Sequence, residues 1–262
     1  MSKTLTFYKY QGTGNDFIIT TDTIELSAEQ ITTLCDRKFG IGADGLILMK
    51  QKSILDFDMM YYNADGSESF CGNGSRCAVM LAHKLGWIKE SCEFNSNDGA
   101  HSALLEDNEV QLKMHDVDMI LVEDDGYMLN TGSPHYVAYT EEIELLDIVP
   151  AAHAVRHSDR FKETGINVNF LESKNGILHI RTYERGVEDE TLSCGTGATA
   201  AAIVNYLETE SSHKRFSQKL KTKGGTLTVT FEKKSTTFEN IYLCKIKTNS
   251  THTPQAWIEN IT

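Results

Sequence analysis

The sequence contains no apolar run of the roughly 20 residues that a membrane-spanning helix requires, and it has only 3 prolines among 262 residues. It also lacks an excess of positive charge, because 37 acidic residues outweigh 25 basic ones and leave a formal net charge of −12. These absences argue against a membrane protein with helical spans, a disordered chain, and a main partner that is nucleic acid or an anionic membrane. The N-terminal residues show no apolar core followed by a cleavage site, so we expect a cytoplasmic protein.

None of the 6 cysteines forms a C-x-x-C pair, the spacing typical of zinc and redox sites. In a cytoplasmic protein the cysteines are reduced thiols, and we expect neither a disulfide framework nor a metal site. Four of them are interpreted as small, half-buried hydrophobic residues: Cys35, Cys77, Cys92 and Cys244. The other two, Cys71 and Cys194, differ in their sequence context.

Cys71 and Cys194 each begin a copy of one motif, CGNGSRCA and CGTGATAA, with the shared pattern C-G-x-G-x-x-x-A. A strand-like run precedes each copy. A stretch of small and apolar residues with helical spacing follows it, to about Leu85 in the first copy and about Glu208 in the second. The sequence therefore contains an internal repeat in which a cysteine stands at the start of a helix.

The similarity of the two copies continues downstream, where both predict a hairpin, turning at Asp98-Gly99 or at Gly224-Gly225. We therefore predict an α/β (α+β) fold of two homologous, pseudo-symmetric domains, each a strand-rich sheet or barrel wrapped around a central helix. The predicted domains are residues 1–116 and 117–246, with residues 247–262 as a candidate return to the first domain.

Two further helices are predicted from their end signals. One runs from Ser27 to Lys38, with Ser27 and Gln30 in capping-box spacing, and the other from Pro150 to His157, with proline at its first position. The segment GIGADG between residues 40 and 45 has the glycine pattern of a dinucleotide-binding loop. A helix precedes it and a strand follows it, the reverse of the order that such a loop requires, so we predict a tight turn and no nucleotide cofactor.

A cysteine at the start of a helix lies beside unpaired backbone N–H groups and the positive end of the helix dipole. Glycines in the first turn leave the backbone open to an anion, and the same field lowers the pKa of the thiol. The glycines concerned are Gly72, Gly74, Gly195 and Gly197. Each motif therefore predicts a reactive thiol beside an anion site, although for one motif alone an inert buried thiol is an equally good interpretation.

The duplication favours the reactive interpretation. Two homologous domains usually pack about a pseudo-two-fold axis, which would place the two cysteines on opposite sides of a cleft. A carboxylate held between both helix starts would then have one sulfur on each side of its α-carbon. This arrangement suits the inversion of a stereocentre without a cofactor, because a thiolate can remove a proton from one face while a thiol delivers another to the opposite face.

The segments around the two motifs, NADGSESFCGNGSRC and YERGVEDETLSCGTGATAA, closely resemble the two cysteine signatures of the diaminopimelate epimerase family. YQGTGNDF, FGIGADGL and GSPH resemble further motifs of this family, and the similarity runs from about Phe7 to Tyr242 in the expected order. The resemblance implies the fold that proline racemases and phenazine-biosynthesis-type isomerases share. It also implies the interconversion of LL- and meso-diaminopimelate, on the route to lysine and peptidoglycan, by a homodimer that needs no cofactor.

The resemblance implies roles for individual residues as well. Cys71 and Cys194 would be the paired acid and base, assisted by His135 and Glu184 respectively. Backbone amides of the two helix starts would hold the carboxylate at the reacting centre, and they belong to Gly72, Asn73, Gly195 and Thr196. Further substrate-binding positions are Asn15, Asn63, Asn167, Glu184 and Arg185, of which Arg185 suits the distal carboxylate as a planar, bidentate donor.

Three features depart from the family pattern. Ser133, a candidate substrate-binding residue, stands where many members have asparagine, and Gly45 replaces a glutamine found in some members. The C-terminal segment LCKIKTNSTHTPQAWIENIT lacks the usual Gly-Pro-Ala and strand pattern, which leaves the final strand and the homodimer open.

Two alternative functions stay open at this point. The first is another isomerase of the same fold that acts on a different amino or hydroxy acid, as proline racemases do. The second is a non-catalytic amino-acid-binding protein that has kept the cleft. Asn73 stands where proline racemases typically carry histidine, which favours the epimerase.

Overall fold

The computed structural model describes residues 5–245, and these fall into two units. Unit 1 ends at Leu112 and unit 2 begins at Lys113. The domain limit predicted between residues 116 and 117 lies close to this division and stays a prediction. The proposed return of residues 247–262 to the first domain lies outside the described residues.

Unit 1 is one mixed sheet with two helices. Its strands are β1 (Tyr8–Gly12), β2 (Asn15–Thr20), β3 (Gly45–Gln51), β4 (Phe57–Asn63), β5 (Ser91–Ser96), β6 (Gly99–Glu106) and β7 (Glu109–Lys113), and its helices are α1 (Ala28–Cys35) and α2 (Gly72–Lys84). The strands neighbour one another in chain order. The successive pairs are antiparallel, parallel, antiparallel, parallel, antiparallel and antiparallel.

Unit 2 repeats this arrangement from its second strand onward. Its strands are β8 (Ile120–Glu123), β9 (Gly126–Asn130), β10 (Pro134–Tyr139), β11 (Asn167–Lys174), β12 (Ile177–Glu184), β13 (Asp189–Thr191), β14 (Arg215–Thr222), β15 (Gly225–Lys234) and β16 (Thr237–Lys245), and its helices are α3 (Ile148–Arg156) and α4 (Gly195–Glu208). The pairs from β9 to β16, with β13 set aside, follow the same order of antiparallel and parallel contacts as in unit 1. β8 and β13 are additions to the repeat, at the edges of β9 and β12.

Helices α2 and α4 are the central helices of the two units. Residues 73–82 of α2 and residues 197–206 of α4 are all buried, without the exposed stripe of a surface helix. The small residues predicted after each cysteine explain this burial, because they let strands pack against every side of the helix. Both helices have nearly the predicted length, and the first ends before Gly86, whose φ of 73° is the left-handed value expected of a residue just past a helix end.

The two peripheral helices begin or end differently from the prediction. The capping box of Ser27 and Gln30 is confirmed, but α1 ends at Cys35 rather than Lys38. The reason is Asp36, whose Oδ1 accepts hydrogen bonds from the backbone amides of Lys38 and Phe39, both 2.7 Å away, and turns the chain. Helix α3 begins two residues before Pro150, which is tolerated there because the first-turn amides have no partner within the helix.

Both predicted hairpins form, but each turn lies one residue earlier than predicted. The two-residue turns are 97–98 and 223–224, closed by the pairs Ser96↔Gly99 and Thr222↔Gly225. Gly99 and Gly225 are therefore the first residues of the returning strands, with φ of 128° and 142°. None of the helices between residues 5 and 245 has both the length and the apolar character needed to span a bilayer.

Candidate active site

Cys71 is the residue that caps the N-terminus of α2. Its backbone is extended, with φ −136° and ψ 106°, and its Sγ accepts a hydrogen bond from the amide of Gly74 at 3.4 Å. A capping side chain satisfies one of the amides that the first helical turn leaves without a partner in the helix. The sulfur of Cys71, half-buried, thus lies in the positive field of the helix start, as the motif predicted.

Asn73 connects the start of α2 to the β1–β2 hairpin. Its Nδ2 donates to Asn15 Oδ1 at 2.7 Å, so two candidate substrate-binding residues contact each other directly. Its Oδ1 accepts from the guanidinium of Arg76 at 2.7 Å, and that guanidinium also donates to Thr13 Oγ1 at 3.0 Å. Asn15 donates in turn to Asp44 Oδ2 at 3.0 Å, which fixes the orientation of both carboxamides.

Thr13 adopts a left-handed conformation, with φ of 57°, and is fully buried at the tip of the β1–β2 hairpin. A positive φ is rare for a β-branched residue and has to be held by its surroundings. The buried side chain of Arg76 supplies such a contact through the hydroxyl of Thr13. Arg76 thereby ties the strained turn before Asn15 to the helix that carries Cys71.

Asn63 is the last residue of β4, at the entrance to the loop that leads to Cys71. Its Nδ2 donates to Ser67 Oγ at 3.0 Å and to Ser69 Oγ at 3.1 Å. The carboxamide therefore orders the segment between the strand and the capping cysteine. Binding of substrate by Asn63 stays a prediction.

Cys194 is likewise the N-terminal capping residue of α4, but its side chain makes no capping hydrogen bond to the first turn and lies beside a carboxylate instead. It is 8% exposed, and its thiol hydrogen bonds to Glu184 at the end of β12. Burial raises the pKa of Glu184, while hydrogen bonds from the Thr191 hydroxyl and the Cys194 thiol oppose the rise. The Thr191 hydroxyl donates to Glu184 Oε2 at 2.9 Å. A carboxylate with a raised pKa is a stronger base than usual, which suits it to accept a proton from a thiol.

His135 lies beneath the first turn of α4 and has no exposed surface. One ring nitrogen, Nε2, is 2.9 Å from Thr196 Oγ1, and the other, Nδ1, is 3.0 Å from Asn169 Nδ2. Thr196 Oγ1 lies 3.4 Å from the sulfur of Cys194. Burial lowers the pKa of His135 to about 3, and the positive charge of Arg185 acts in the same direction. The imidazole is therefore neutral at physiological pH.

This lowered pKa predicts a loss of stability in acid. In the unfolded chain histidine titrates near pH 6.5, so the unfolded state binds a proton at pH values where folded His135 does not. Replacing His135 by Gln, which can still accept from Asn169 and donate to Thr196, removes this difference. We expect the unfolding free energy of the wild type, relative to His135→Gln, to fall by about 1.4 kcal/mol per pH unit between pH 6 and pH 4.

Urea unfolding at several pH values measures this difference, with His213→Gln, a change at an exposed histidine, as the control. A constant difference between wild type and His135→Gln across this range would show that His135 is protonated equally in both states.

Three further candidate residues form a connected group in unit 2. Asn167 Nδ2 donates to Ser133 Oγ at 2.8 Å, and Asn167 Oδ1 accepts from the backbone amide of Arg185 at 2.8 Å. The guanidinium of exposed Arg185 donates to the carbonyl of Thr164 at 3.1 Å. Although its side chain is shorter than that of asparagine, Ser133 therefore reaches Asn167 and hydrogen bonds to it.

A cavity of about 410 Å³ in unit 2 lies beside Arg185. Its lining includes the apolar side chains of Met128, Phe161 and Ile166. An aliphatic chain with an anionic end is the ligand chemistry that such a lining next to a guanidinium fits.

Gly197 and Gly74 are equivalent residues of the repeat with different neighbours. A Cβ at Gly197 would lie 2.5 Å from Asn169 Oδ1, whereas a Cβ at Gly74 would lie 3.1 Å from the flexible end of Ile47. We expect Gly197→Ala to destabilise the protein by about 1–3 kcal/mol through overpacking. We expect Gly74→Ala to change the unfolding free energy by less than about 1 kcal/mol, because better helix propensity offsets the milder contact.

Urea denaturation of the two variants provides the comparison. Equal losses of stability in both would contradict the difference in space beneath the two helix starts.

Sequence reasoning missed several residues that support these clusters, among them Thr13, Arg76, Asn169 and Thr191. Alignment of the two repeats contained a signal for one of them. The pairs Phe17↔Gly45 and His135↔Asn167 are equivalent, so Asn169 takes the place of Ile47. A buried amide where the repeat has an aliphatic residue indicates a hydrogen-bonding function. Among the described residues, no group of three His, Cys, Asp or Glu side chains is arranged to hold a metal ion.

Comparison with protein families gives one matching family model, described as diaminopimelate epimerase, over residues 7–120 and 127–244. A diaminopimelate epimerase of Flavobacterium psychrophilum is 44% identical over 243 residues, which are 90% of this chain and 94% of the relative. One from Chlorobaculum tepidum is 40% identical over 74% of this chain and 81% of the relative. One from Aquifex aeolicus is 37% identical over 77% and 81%.

Solved structures with much lower identity share the fold. A phenazine biosynthesis protein of the PhzF family from Bacillus anthracis has a TM-score of 0.69 at 13% identity, with 98% of this chain and 99% of that chain covered. A hydroxyproline epimerase from Agrobacterium vitis has a TM-score of 0.66 at 13% identity, with 98% and 92% covered. The expected fold, two homologous units of mixed sheet around a central helix, is confirmed.

Proposed function

Because the chain belongs to the diaminopimelate epimerase family, we propose that it interconverts LL- and meso-diaminopimelate by proton transfer at one α-carbon, with Cys71 and Cys194 as acid and base. The observation that supports this proposal most is the duplicated helix start. Each unit carries a cysteine as the capping residue of its central helix, followed directly by glycine. A single reactive thiol would serve many reactions, whereas a matched pair suits inversion of a stereocentre.

The proposed reaction has two proton transfers. The thiolate of one cysteine takes the α-proton, which leaves a carbanion next to the carboxylate, and the thiol of the other cysteine gives its proton to the opposite face. The two sulfurs have then exchanged protonation states, which suits the reverse direction. Backbone amides of Gly72, Asn73, Gly195 and Thr196 would hold the α-carboxylate, since helix N-termini bind anions and stabilise the charge of the carbanion.

The remaining candidate residues receive roles from their positions. Arg185, beside the apolar cavity, would bind the distal carboxylate of the substrate. Glu184 would accept the proton of the Cys194 thiol, to which it is hydrogen bonded. His135, which the family resemblance assigns to Cys71, lies beneath the first turn of α4 and contacts Thr196, so its assistance to Cys71 stays a prediction. Asn15, Asn63, Ser133 and Asn167 would bind the polar groups of the substrate.

Diaminopimelate is a precursor of lysine and peptidoglycan, and we propose a cytoplasmic homodimer without a cofactor that acts on this route. The residues that would complete the dimer in this family fall within 246–262, outside the described residues. The oligomeric state therefore stays a prediction.

Incubation of the protein with LL-diaminopimelate in D₂O tests the proposal. We expect meso-diaminopimelate that carries deuterium at the inverted α-carbon, while the remaining LL-isomer stays unlabelled early in the reaction. One group takes the α-proton and a different group, which has exchanged with solvent, delivers deuterium to the opposite face. Solvent deuterium therefore enters the product first. Early labelling of the unreacted LL-isomer would indicate one base rather than two.

The same assay separates the two alternatives. Turnover of proline or hydroxyproline without any reaction of diaminopimelate would favour another isomerase of this fold. Binding of diaminopimelate without exchange of its α-proton would favour a non-catalytic binding protein.

A further inference from the structure

The side chains that pack beneath the first turn of the central helix differ between α2 in unit 1 and α4 in unit 2. In unit 1 the residues beneath Gly74 are apolar, with Phe17 and Ile47 within 3.5 Å of a Cβ built there. Their counterparts in unit 2 are His135 and Asn169, both without exposed surface. A polar pair in place of an apolar pair lowers stability unless its hydrogen bonds are made, so its presence beneath α4 calls for a functional reason.

The orientation of the Asn169 carboxamide is determined by a backbone carbonyl. Asn169 Nδ2 lies 2.9 Å from the carbonyl oxygen of Tyr136, which can only accept a hydrogen bond. On the other side, Thr182 Oγ1 lies 2.9 Å from Asn169 Oδ1 and donates to it. The nitrogen of the amide therefore faces Tyr136, and its second proton points to His135 Nδ1, 3.0 Å away.

The proton of His135 follows from this orientation. Nδ1 must accept from Asn169, because two facing donors in a buried site would leave both unsatisfied. The ring proton is then on Nε2, which donates to Thr196 Oγ1 at 2.9 Å. Since Thr196 Oγ1 accepts this bond, its own proton is available to the sulfur of Cys194 at 3.4 Å.

We propose that Asn169 is a positioning residue that acts through His135 and Thr196 to direct a hydroxyl proton to the sulfur of Cys194; this role rests on the proposed function of Cys194 as an acid and base. This chain of hydrogen bonds runs from the Tyr136 carbonyl through Asn169, His135 and Thr196 to the sulfur of Cys194, and each bond has one possible donor. Its effect is to stabilise Cys194 as a thiolate once its proton has left, because a hydrogen bond to a charged group is stronger than one to a neutral group. The Cys71 motif has no equivalent of this imidazole, because Phe17 occupies the position.

The first test is the protonation of the His135 ring in the wild-type protein at pH 7. The ¹⁵N chemical shifts of histidine distinguish protonated from unprotonated ring nitrogens. We expect Nε2 to carry the proton and Nδ1 to carry none. A proton on Nδ1 would overturn the proposal without any variant.

The second test uses Asn169→Asp, which should reverse the donor and acceptor roles along this chain of hydrogen bonds. A carboxylate accepts from Nδ1–H, so the ring proton moves to Nδ1, Thr196 turns to donate to Nε2, and Cys194 loses its donor. We expect the ¹⁵N signature to invert, and both alkylation of Cys194 by iodoacetamide and turnover to fall about ten- to a hundredfold, the range for one hydrogen bond to a charged group. An unchanged ring tautomer in a folded Asn169→Asp protein would contradict the proposal.

Three further variants guard against a purely structural effect. Ile47→Val changes the packing at the equivalent position of unit 1 and should leave the ¹⁵N signature and the alkylation rate of Cys194 as in wild type. If Asn169→Asp does not fold, Thr196→Ser and Thr196→Val replace it. Serine keeps the hydroxyl and should keep the alkylation rate, whereas valine should lower it to the same extent as Asn169→Asp.

Equal alkylation rates in the serine and valine variants would overturn the proposal. The tautomer and the alkylation rate are measured without substrate. They therefore distinguish a failure of this proposal from a protein that does not epimerise diaminopimelate.

Discussion

Cys71→Ala and Cys194→Ala are each expected to lower the rate of diaminopimelate epimerisation by about 10²- to 10⁴-fold, the range for loss of a positioned acid or base. Both substitutions should leave the fold intact. The capping contact of Cys71 is a weak hydrogen bond from the amide of Gly74, and loss of an N-terminal cap lowers the unfolding free energy by about 1 kcal/mol. Chiral separation of the product gives the rate, and urea unfolding gives the stability.

Cys92→Ala is the matched control for these variants. Cys92 lies buried in β5, and burial raises the pKa of its thiol to about 12, so it stays protonated and does not serve as a base. Its replacement should lower stability slightly and leave turnover within about twofold, as expected for a small packing change. Near-normal turnover by either Cys71→Ala or Cys194→Ala would falsify the two-base scheme.

The two cysteines are repeated in sequence but differ in their surroundings. Cys71 lies in a cluster ordered by Asn73 and Arg76, whereas Cys194 contacts a carboxylate and a threonine that His135 orients. A pair of identical sites would favour neither direction of proton transfer. Different environments let each thiol be tuned separately, which suits the proposed reaction, in which the two stereoisomers would present the α-proton to opposite sulfurs.

The main architecture was predictable because its signals are local and repeated. The C-G-x-G motif and the small residues after it predicted both central helices. Glycine-containing turns predicted both hairpins to within one residue. The exact end of α1 was not predictable, because it depends on Asp36 accepting two backbone amides rather than on any property of Lys38.

The supporting residues of the site could not be found from sequence patterns alone. Arginine is usually exposed, so nothing in the sequence marks Arg76 as a buried contact of Thr13 and Asn73. Asn169 lies within a strand-like run, where the alternation of apolar and polar residues does not indicate which polar side chain has a buried partner. The contacts of Asn169 join residues on different strands, which the strand register brings together. The contact of Arg76 with Thr13 depends on the packing of α2 against the β1–β2 hairpin.

Glu184→Gln is expected to lower turnover by about 10²- to 10⁴-fold, because the amide cannot accept the proton of the Cys194 thiol. The pH dependence carries the sharper test. If Glu184 must be ionised, turnover of the wild type falls as pH decreases through the raised pKa of this carboxyl group. Glu184→Gln should lose this acid limb, because its side chain does not titrate.

Substitution of Thr191 should shift the acid limb of the pH profile while the carboxylate of Glu184 stays in place. Its hydroxyl donates to Glu184 Oε2 at 2.9 Å and so stabilises the ionised form, which lowers the pKa of Glu184 against the effect of burial. Thr191→Val removes this bond, so the pKa of Glu184 rises further and the acid limb shifts to higher pH, whereas Thr191→Ser should keep the wild-type profile. If Thr191→Val and Thr191→Ser give the same pH profile of turnover, burial alone sets the raised pKa of Glu184. If the acid limb remains in Glu184→Gln, it belongs to another group.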